Sequence, residues 1–305
     1  MAEEPRTAGE RWPNFFLIGA PRCGTTSLHV ALGRHPDIFM SRPKEPFYFA
    51  LEPGATNSVG ISDRDAYVDL FRSAGDERVV GESSAFYLAS LQAPARVAAV
   101  SPDAHIVAIL RDPIERADSY HRLLSSHGAE RRPILDALRE DVARGGPPPD
   151  GPRVFADIAA LLPEADSIYI EPSRYCAGLK RWLDLFGDRV LILFYEDLAA
   201  DPARALRRIY EHVGVDATDP ALLELPAANV HHKPRGPLAR VAYSAAKRLV
   251  PARHLLGPRS QRLFFRRVPK PAPDAEVVAF LREQLAGERE CLRELLGYEP
   301  PWPER

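Results

Sequence analysis

The stretch Phe15-Phe16-Leu17-Ile18-Gly19-Ala20-Pro21-Arg22-Cys23-Gly24-Thr25-Thr26-Ser27-Leu28 decides the fold. Asn14 to Gly19 reads as a continuous apolar strand, the pattern of a strand buried on both faces of a parallel sheet. A glycine-framed, hydroxyl-rich turn follows, and Ser27 to Arg34 has helical periodicity. Such a turn carries few side chains and exposes consecutive backbone N–H groups. The next helix adds its unpaired first-turn donors and the positive end of its dipole. An anion with several oxygens fits that cradle.

Gly19 and Gly24 are separated by four residues, as in the pattern G-x-x-x-x-G-K-[ST], but Thr25 stands where the lysine should be. The cation lies inside the loop instead, at Arg22. A phosphoryl-transfer loop needs its lysine on the β and γ phosphates, with a hydroxyl and a carboxylate to hold magnesium. An NTP-dependent kinase with an atypical loop is therefore the weaker reading, and magnesium dependence would reveal it. A non-catalytic nucleotide-binding module of the same fold is a second alternative.

Outward from the loop, strands and helices alternate. Val79 to Gly81 is a short strand, Pro94 to Val100 a helix with proline in its first turn, and His105 to Leu110 a strand ended by Arg111-Asp112-Pro113. Arg116 to Ser126 and Tyr175 to Phe186 read as helices, Val190 to Tyr195 as a strand and Pro202 to Val213 as a helix. Gly145 to Gly151 is a surface loop. This alternation predicts an α/β fold, a central parallel sheet flanked by helices with a P-loop-like turn. With 305 residues, 45% hydrophobic content and a net charge of −2, the chain is expected to form a single domain, 1–305, with its core at about 14–298.

No apolar run is long enough to span a bilayer, and Met1-Ala2-Glu3-Glu4 is acidic where a signal peptide is basic, so a soluble cytoplasmic protein is expected. Thirty prolines with abundant Ala and Arg suit a GC-rich, bacterial genome. Cys23, Cys176 and Cys291 are too few and too scattered for a disulfide framework or a metal cluster. From Lys233 to Lys270 there are eleven Lys or Arg and no Asp or Glu. Its first part, with Lys233, Arg235 and Gly236, is read as closing over an anionic nucleotide. The remainder suits an anionic surface, and no nucleic-acid-binding motif is present.

A second anion site is suggested by Arg111-Asp112-Pro113-Ile114-Glu115-Arg116-Ala117-Asp118-Ser119-Tyr120. It starts at the carboxyl end of a strand, where open α/β sheets bind ligands, and runs into a helix. Arg111 offers a planar fork of donors to a phosphate, and Ser119 adds a hydroxyl about two helical turns later.

Together these segments resemble the sulfotransferases that use 3′-phosphoadenosine 5′-phosphosulfate (PAPS), specifically the carbohydrate or heparan-sulfate type and related bacterial enzymes. The likeness extends over roughly Asn14 to Tyr298. It implies transfer of a sulfuryl group from PAPS to a hydroxyl or amine of a small-molecule, lipid or glycan acceptor, leaving 3′-phosphoadenosine 5′-phosphate (PAP) and requiring no metal. Ala20, Pro21, Arg22, Cys23, Gly24, Thr25, Thr26 and Ser27 would hold the 5′-phosphosulfate, with Arg22 where charge develops. Arg111 and Ser119 would hold the 3′-phosphate. Pro43-Lys44-Glu45-Pro46-Phe47-Tyr48-Phe49 resembles the segment that supplies the catalytic base, which places that role on Glu45. Burial against the aromatics that follow would strengthen it. His121 and His35 are alternative bases, since another branch of the superfamily uses histidine.

Gly81-Glu82-Ser83-Ser84-Ala85-Phe86-Tyr87 resembles an acceptor-pocket segment, so Glu82, Ser84 and Tyr87 join Lys44, Phe47, Tyr48, Arg174 and Tyr175 as acceptor contacts. Heparan-type enzymes carry lysines where this chain has Arg22 and Ser83. The second change removes a cation that would face an acidic sugar. Tyr195-Glu196-Asp197-Leu198 and Asp201-Pro202 match a late signature with a structural, capping role.

Overall fold

A computed structural model describes residues 10–145, 153–163, 165, 167–226, 232–234, 265–267 and 272–303. Five strands, β1 (Phe15–Gly19), β2 (Ile38–Met40), β3 (Val79–Ser83), β4 (His105–Leu110) and β5 (Val190–Phe194), form one sheet in the order β2-β3-β1-β4-β5. Every neighbouring pair is parallel, with Phe15 opposite Gly81 on one side and His105 on the other. All five residues of β1 are buried, as are the last five of β4. Continuous apolar runs are what two covered faces demand.

The α-helices among the described residues are α1 (Thr25–Leu32), α2 (Arg64–Asp69), α3 (Ala93–Val100), α4 (Pro113–Ser126), α5 (Ile134–Arg144), α6 (Arg153–Ala159), α7 (Tyr175–Phe186), α8 (Tyr195–Ala200), α9 (Pro202–His212), α10 (Ala275–Gln284) and α11 (Glu288–Leu296). Because β1 lies between β3 and β4, the chain leaves it in one direction and later returns on the other. That reversal opens a crevice at the carboxyl edge, bordered by the turns after β1 and β4.

Helix α4 begins three residues ahead of the expected Arg116. Asp112 accepts a hydrogen bond from the Glu115 amide at 3.0 Å, and Pro113 occupies the first turn, where its missing donor is harmless. Asp201 caps α9 in the same way through the Arg204 amide at 2.9 Å. The chain divides into two compact units, Met1–Pro226 with Pro273–Arg305, and Ala227–Ala272. In the second, His232–Pro234 pairs antiparallel with Phe265–Arg267. Among the described residues no helix is long and apolar enough to cross a membrane.

The cysteine expectation needs correction. Cys176 and Cys291 form a disulfide across 115 residues of sequence, with Cα atoms 6.0 Å apart. Their separation in sequence conceals that the first turn of α7 lies against α11.

Candidate nucleotide and acceptor site

The turn between β1 and α1 holds its shape through glycine. Gly19 has φ +145, and a Cβ there would stand 2.5 Å from the Ala85 carbonyl oxygen and 3.0 Å from Leu88 Cβ. Gly24, at φ +94, precedes α1, and no side chain caps that helix. Its first-turn amides are thus left for an anion, while Thr25 and Ser27 lie buried beside them. Gly19→Ala should cost roughly 2 to 4 kcal/mol, because a left-handed conformation and a backbone clash coincide. Gly54→Ala is the control, since Gly54 has φ +74 but open space around it, and should cost about 1 kcal/mol. Urea unfolding of both variants checks this, and equal losses would contradict it.

Arg22 also has positive φ, 74, which is uncommon for a non-glycine residue and marks a functional turn when the surroundings enforce it. Its Nε donates to Ser119 Oγ at 3.2 Å, and Arg111 donates to the Arg22 carbonyl oxygen at 3.5 Å. The turn after β1 and the segment after β4 therefore meet in one place. Arg22 has no carboxylate partner among the described residues. Burial, then repulsion from Arg111, lower its pKa, so a bound anion would relieve that unfavourable charge.

Arg111 is nine-tenths buried, yet its Nε has no partner among the described residues. Burial opposes its charge most, but the 2.7 Å bond to Glu115, that carboxylate's attraction and the neighbouring Tyr195 together outweigh it and raise its pKa. The Tyr195 ring lies 4.6 Å from its guanidinium carbon, and Tyr175 donates to its carbonyl oxygen at 3.0 Å. Arg116, fully buried, donates to Ser173 Oγ at 2.5 Å and to the Tyr169 carbonyl oxygen, but its Nη1 has no partner among the described residues. Sequence reading missed Arg116, although 116, 119 and 120 share one helix face at i, i+3 and i+4.

Glu45 and Phe47 have φ of 66 and 54, which turns the aromatics inward and the carboxylate outward. The expectation that Glu45 is buried against Phe47, Tyr48 and Phe49 is therefore corrected. Those rings are core, while the Glu45 side chain is 38% exposed and paired with Lys44. Its backbone amide donates to the Ser83 carbonyl oxygen at 2.8 Å.

Beneath this loop lies Glu82, wholly buried and receiving hydrogen bonds from Ser84 at 2.6 Å, Tyr87 at 2.8 Å and Tyr67 at 2.9 Å. Ser84 Oγ in turn accepts from the Phe47 amide at 3.1 Å, and Tyr87 Oη from the Phe49 amide at 3.1 Å. Glu82, Ser84 and Tyr87 thus hold the Glu45 loop from below and do not line an open acceptor cleft. Phe47, Tyr48 and Tyr175 are similarly shut off, each at most 3% exposed.

Burial pushes the Glu82 carboxyl up to about 7 despite its three donors. A carboxyl raised in the folded state binds a proton there more tightly than in the unfolded chain. Its contribution therefore falls as pH rises from about 4.5 to about 7. Unfolding free energies measured at about pH 5 and pH 7.5 should show this loss, and Glu82→Gln should remove most of it. An unchanged slope in the variant would contradict the assignment.

The remaining expectations fall elsewhere. His35 accepts from the Asp37 amide at 3.0 Å through Nδ1 and bonds the Asp216 carbonyl oxygen at 2.8 Å through Nε2, so both nitrogens are committed to structure. His121 Nε2 turns to the Arg132 carbonyl oxygen at 3.1 Å, and burial lowers its pKa. Burial pushes the Cys23 thiol up to about 12, which leaves it neutral and unsuited to nucleophilic work. Arg174 is paired with Glu171 at 3.0 Å. Lys233 lies on the short strand of the second unit. Arg235, Gly236, most of the basic segment and the Gly145–Gly151 loop after its first residue lie outside the described residues.

A model of the sulfotransferase domain matches residues 13–232, and the chain belongs to the sulfotransferase family, whose members move sulfuryl groups. Bifunctional heparan sulfate N-deacetylase/N-sulfotransferase 1 of Mus musculus is 28% identical over 214 residues, 68% of this chain and 23% of that protein. The Homo sapiens enzyme 3 of the same description is 29% identical over 211 residues, with 68% and 23% covered. This chain thus spans under a quarter of the length of those relatives. A sulfotransferase from Alicyclobacillus acidocaldarius shares the fold, with a TM-score of 0.67 at 24% identity, covering 95% of this chain and 98% of that one.

Proposed function

We propose that this chain transfers the sulfuryl group of PAPS to a hydroxyl or amine of a small-molecule, lipid or glycan acceptor, with Glu45 as general base. The observation that carries this reading is the junction of Arg22, Ser119 and Arg111 at one crevice. A ligand with phosphates at both ends of one nucleoside suits two cationic grips so joined. Unpaired Arg111 Nε and Arg116 Nη1, with the uncapped α1, supply donors that fit such an anion.

PAPS would supply the activated sulfuryl group and PAP would be the leaving nucleotide. Gly24 to Ser27 would bind the 5′-phosphosulfate with first-turn amides and hydroxyls. Arg22, half-buried near Arg111 and Arg116, would face the negative charge that grows on departure of the nucleotide. Arg111 and Ser119 would take the 3′-phosphate. Glu45, held outward beside Lys44, can receive the acceptor's proton because its carboxylate is accessible.

The fixed guanidinium charge makes a divalent metal unnecessary in this reading, so EDTA should leave turnover unchanged. Incubation with PAPS and a panel of alcohols, amines and glycans, with PAP release read by chromatography, tests the activity. Phosphate release from ATP with no PAP from PAPS would favour the kinase instead.

A further inference from the structure

We propose that Trp302, in the C-terminal tail, is a positioning residue for the nucleotide's 3′-phosphate grip, acting through Glu196 on the Asp112 turn, with the Cys176–Cys291 disulfide as its fastener. This rests on Arg111 holding the 3′-phosphate. The Trp302 indole N–H donates to Glu196 Oε2 at 3.1 Å, and the other oxygen of that carboxylate accepts from the Asp112 amide at 3.1 Å. Asp112 directly follows Arg111 and caps α4, so Glu196 fixes the turn from which the Arg111 side chain departs. A second route reaches the same turn. The Trp302 ring packs 6.0 Å from Tyr175, whose hydroxyl donates to the Arg111 carbonyl oxygen.

The tail is 95% buried at Trp302 and tied at several points. Its ring lies 5.5 Å from Phe194, and Arg289 of α11 donates to its carbonyl oxygen at 2.5 Å. Cys291, two residues beyond Arg289, is joined to Cys176, next to Tyr175. Glu288 adds a 2.6 Å bond from the Cys176 amide. The disulfide therefore fixes α11 against the start of α7, the point from which Tyr175 reaches the grip. Burial disfavours the Glu196 charge, and its two donors oppose that effect. Removing one donor weakens the carboxylate that holds the other.

Calorimetric titration of the full chain with PAP and with adenosine 5′-phosphate, which lacks the 3′-phosphate, tests the proposal. Trp302→Phe keeps an aromatic ring, smaller than the indole, and removes the donor. Its preference for PAP over adenosine 5′-phosphate should fall about tenfold, with the 5′-phosphate affinity within about twofold of the parent. Reduction of the parent protein by dithiothreitol should give a loss of the same kind. Two electrons and two protons pass to Cys176 and Cys291 as the reagent closes its own disulfide. In the Cys176→Ser/Cys291→Ser variant the preference should already be reduced, and dithiothreitol should add nothing.

An equal loss for both nucleotides in Trp302→Phe would reduce the tail to general packing and overturn the proposal. So would an unchanged preference in Trp302→Phe, or after reduction verified by thiol titration. A parent protein that binds the two nucleotides equally would defeat the reading of Arg111 itself, and the inference with it.

Discussion

Glu45→Gln is expected to lower kcat by roughly 10²- to 10⁴-fold while leaving PAP affinity within about twofold. The substitution removes the proton acceptor and preserves the shape. Gln retains the contour of the side chain on a turn with φ 66, and the backbone bond from residue 45 to the Ser83 carbonyl oxygen remains. The Glu82 network beneath is untouched, so the loop keeps its position. In the proposed reading the nucleotide is held instead by Arg22, Arg111 and Ser119, none of which the substitution touches. Steady-state kinetics and calorimetry on the same preparation separate the two quantities. Retention of most activity would move the base to another group, and an equal loss of PAP affinity would make Glu45 a structural residue.

Arg111→Ala should weaken PAP binding about 100-fold, with a much smaller effect on adenosine 5′-phosphosulfate, which lacks the 3′-phosphate. A charge-assisted bond contributes about 1.5 to 3 kcal/mol, and Arg111 can make two to one phosphate. The change also removes the 2.7 Å ion pair between Arg111 and Glu115. Arg111→Lys should recover only part of the loss, because an ammonium cannot reproduce the planar fork or its stacking on Tyr195. Equal weakening of both nucleotides would show that Arg111 shapes the whole crevice and does not read the 3′-phosphate.

The main frame of the fold was legible where burial is uninterrupted. His105 to Leu110 and Tyr175 to Phe186 have the same ends in the structure as in the sequence reading, because apolar runs and amphipathic periods report the packing directly. Strand β2 escaped notice, since three residues, Ile38–Met40, are too few to show a period. The start of α4 at Pro113 was hidden because its signal is a cap and not a run of apolar residues.

The places of the turn glycines after β1 and of Arg111 after β4 were readable because backbone geometry and strand order constrain those positions. The role of Glu82 was not. An acid in an acceptor-like motif looks the same in sequence whether it faces ligand or three buried hydroxyls. The exposure of Glu45 was likewise unreadable, because the positive φ values at Glu45 and Phe47 that reverse the side chains are not written in those residue types. The disulfide and the fully buried Arg116 depend on contacts between distant segments, which local pattern does not carry.

The most direct test is a calorimetric comparison of PAP and ATP on the intact chain. If Arg22 and Arg111 grip the two ends of one 3′-phosphorylated nucleotide, PAP binds at least about tenfold more tightly than ATP and needs no magnesium. ATP binding as tightly as PAP, or only in the presence of magnesium, would contradict that shared ligand and return the loop to the nucleoside triphosphates.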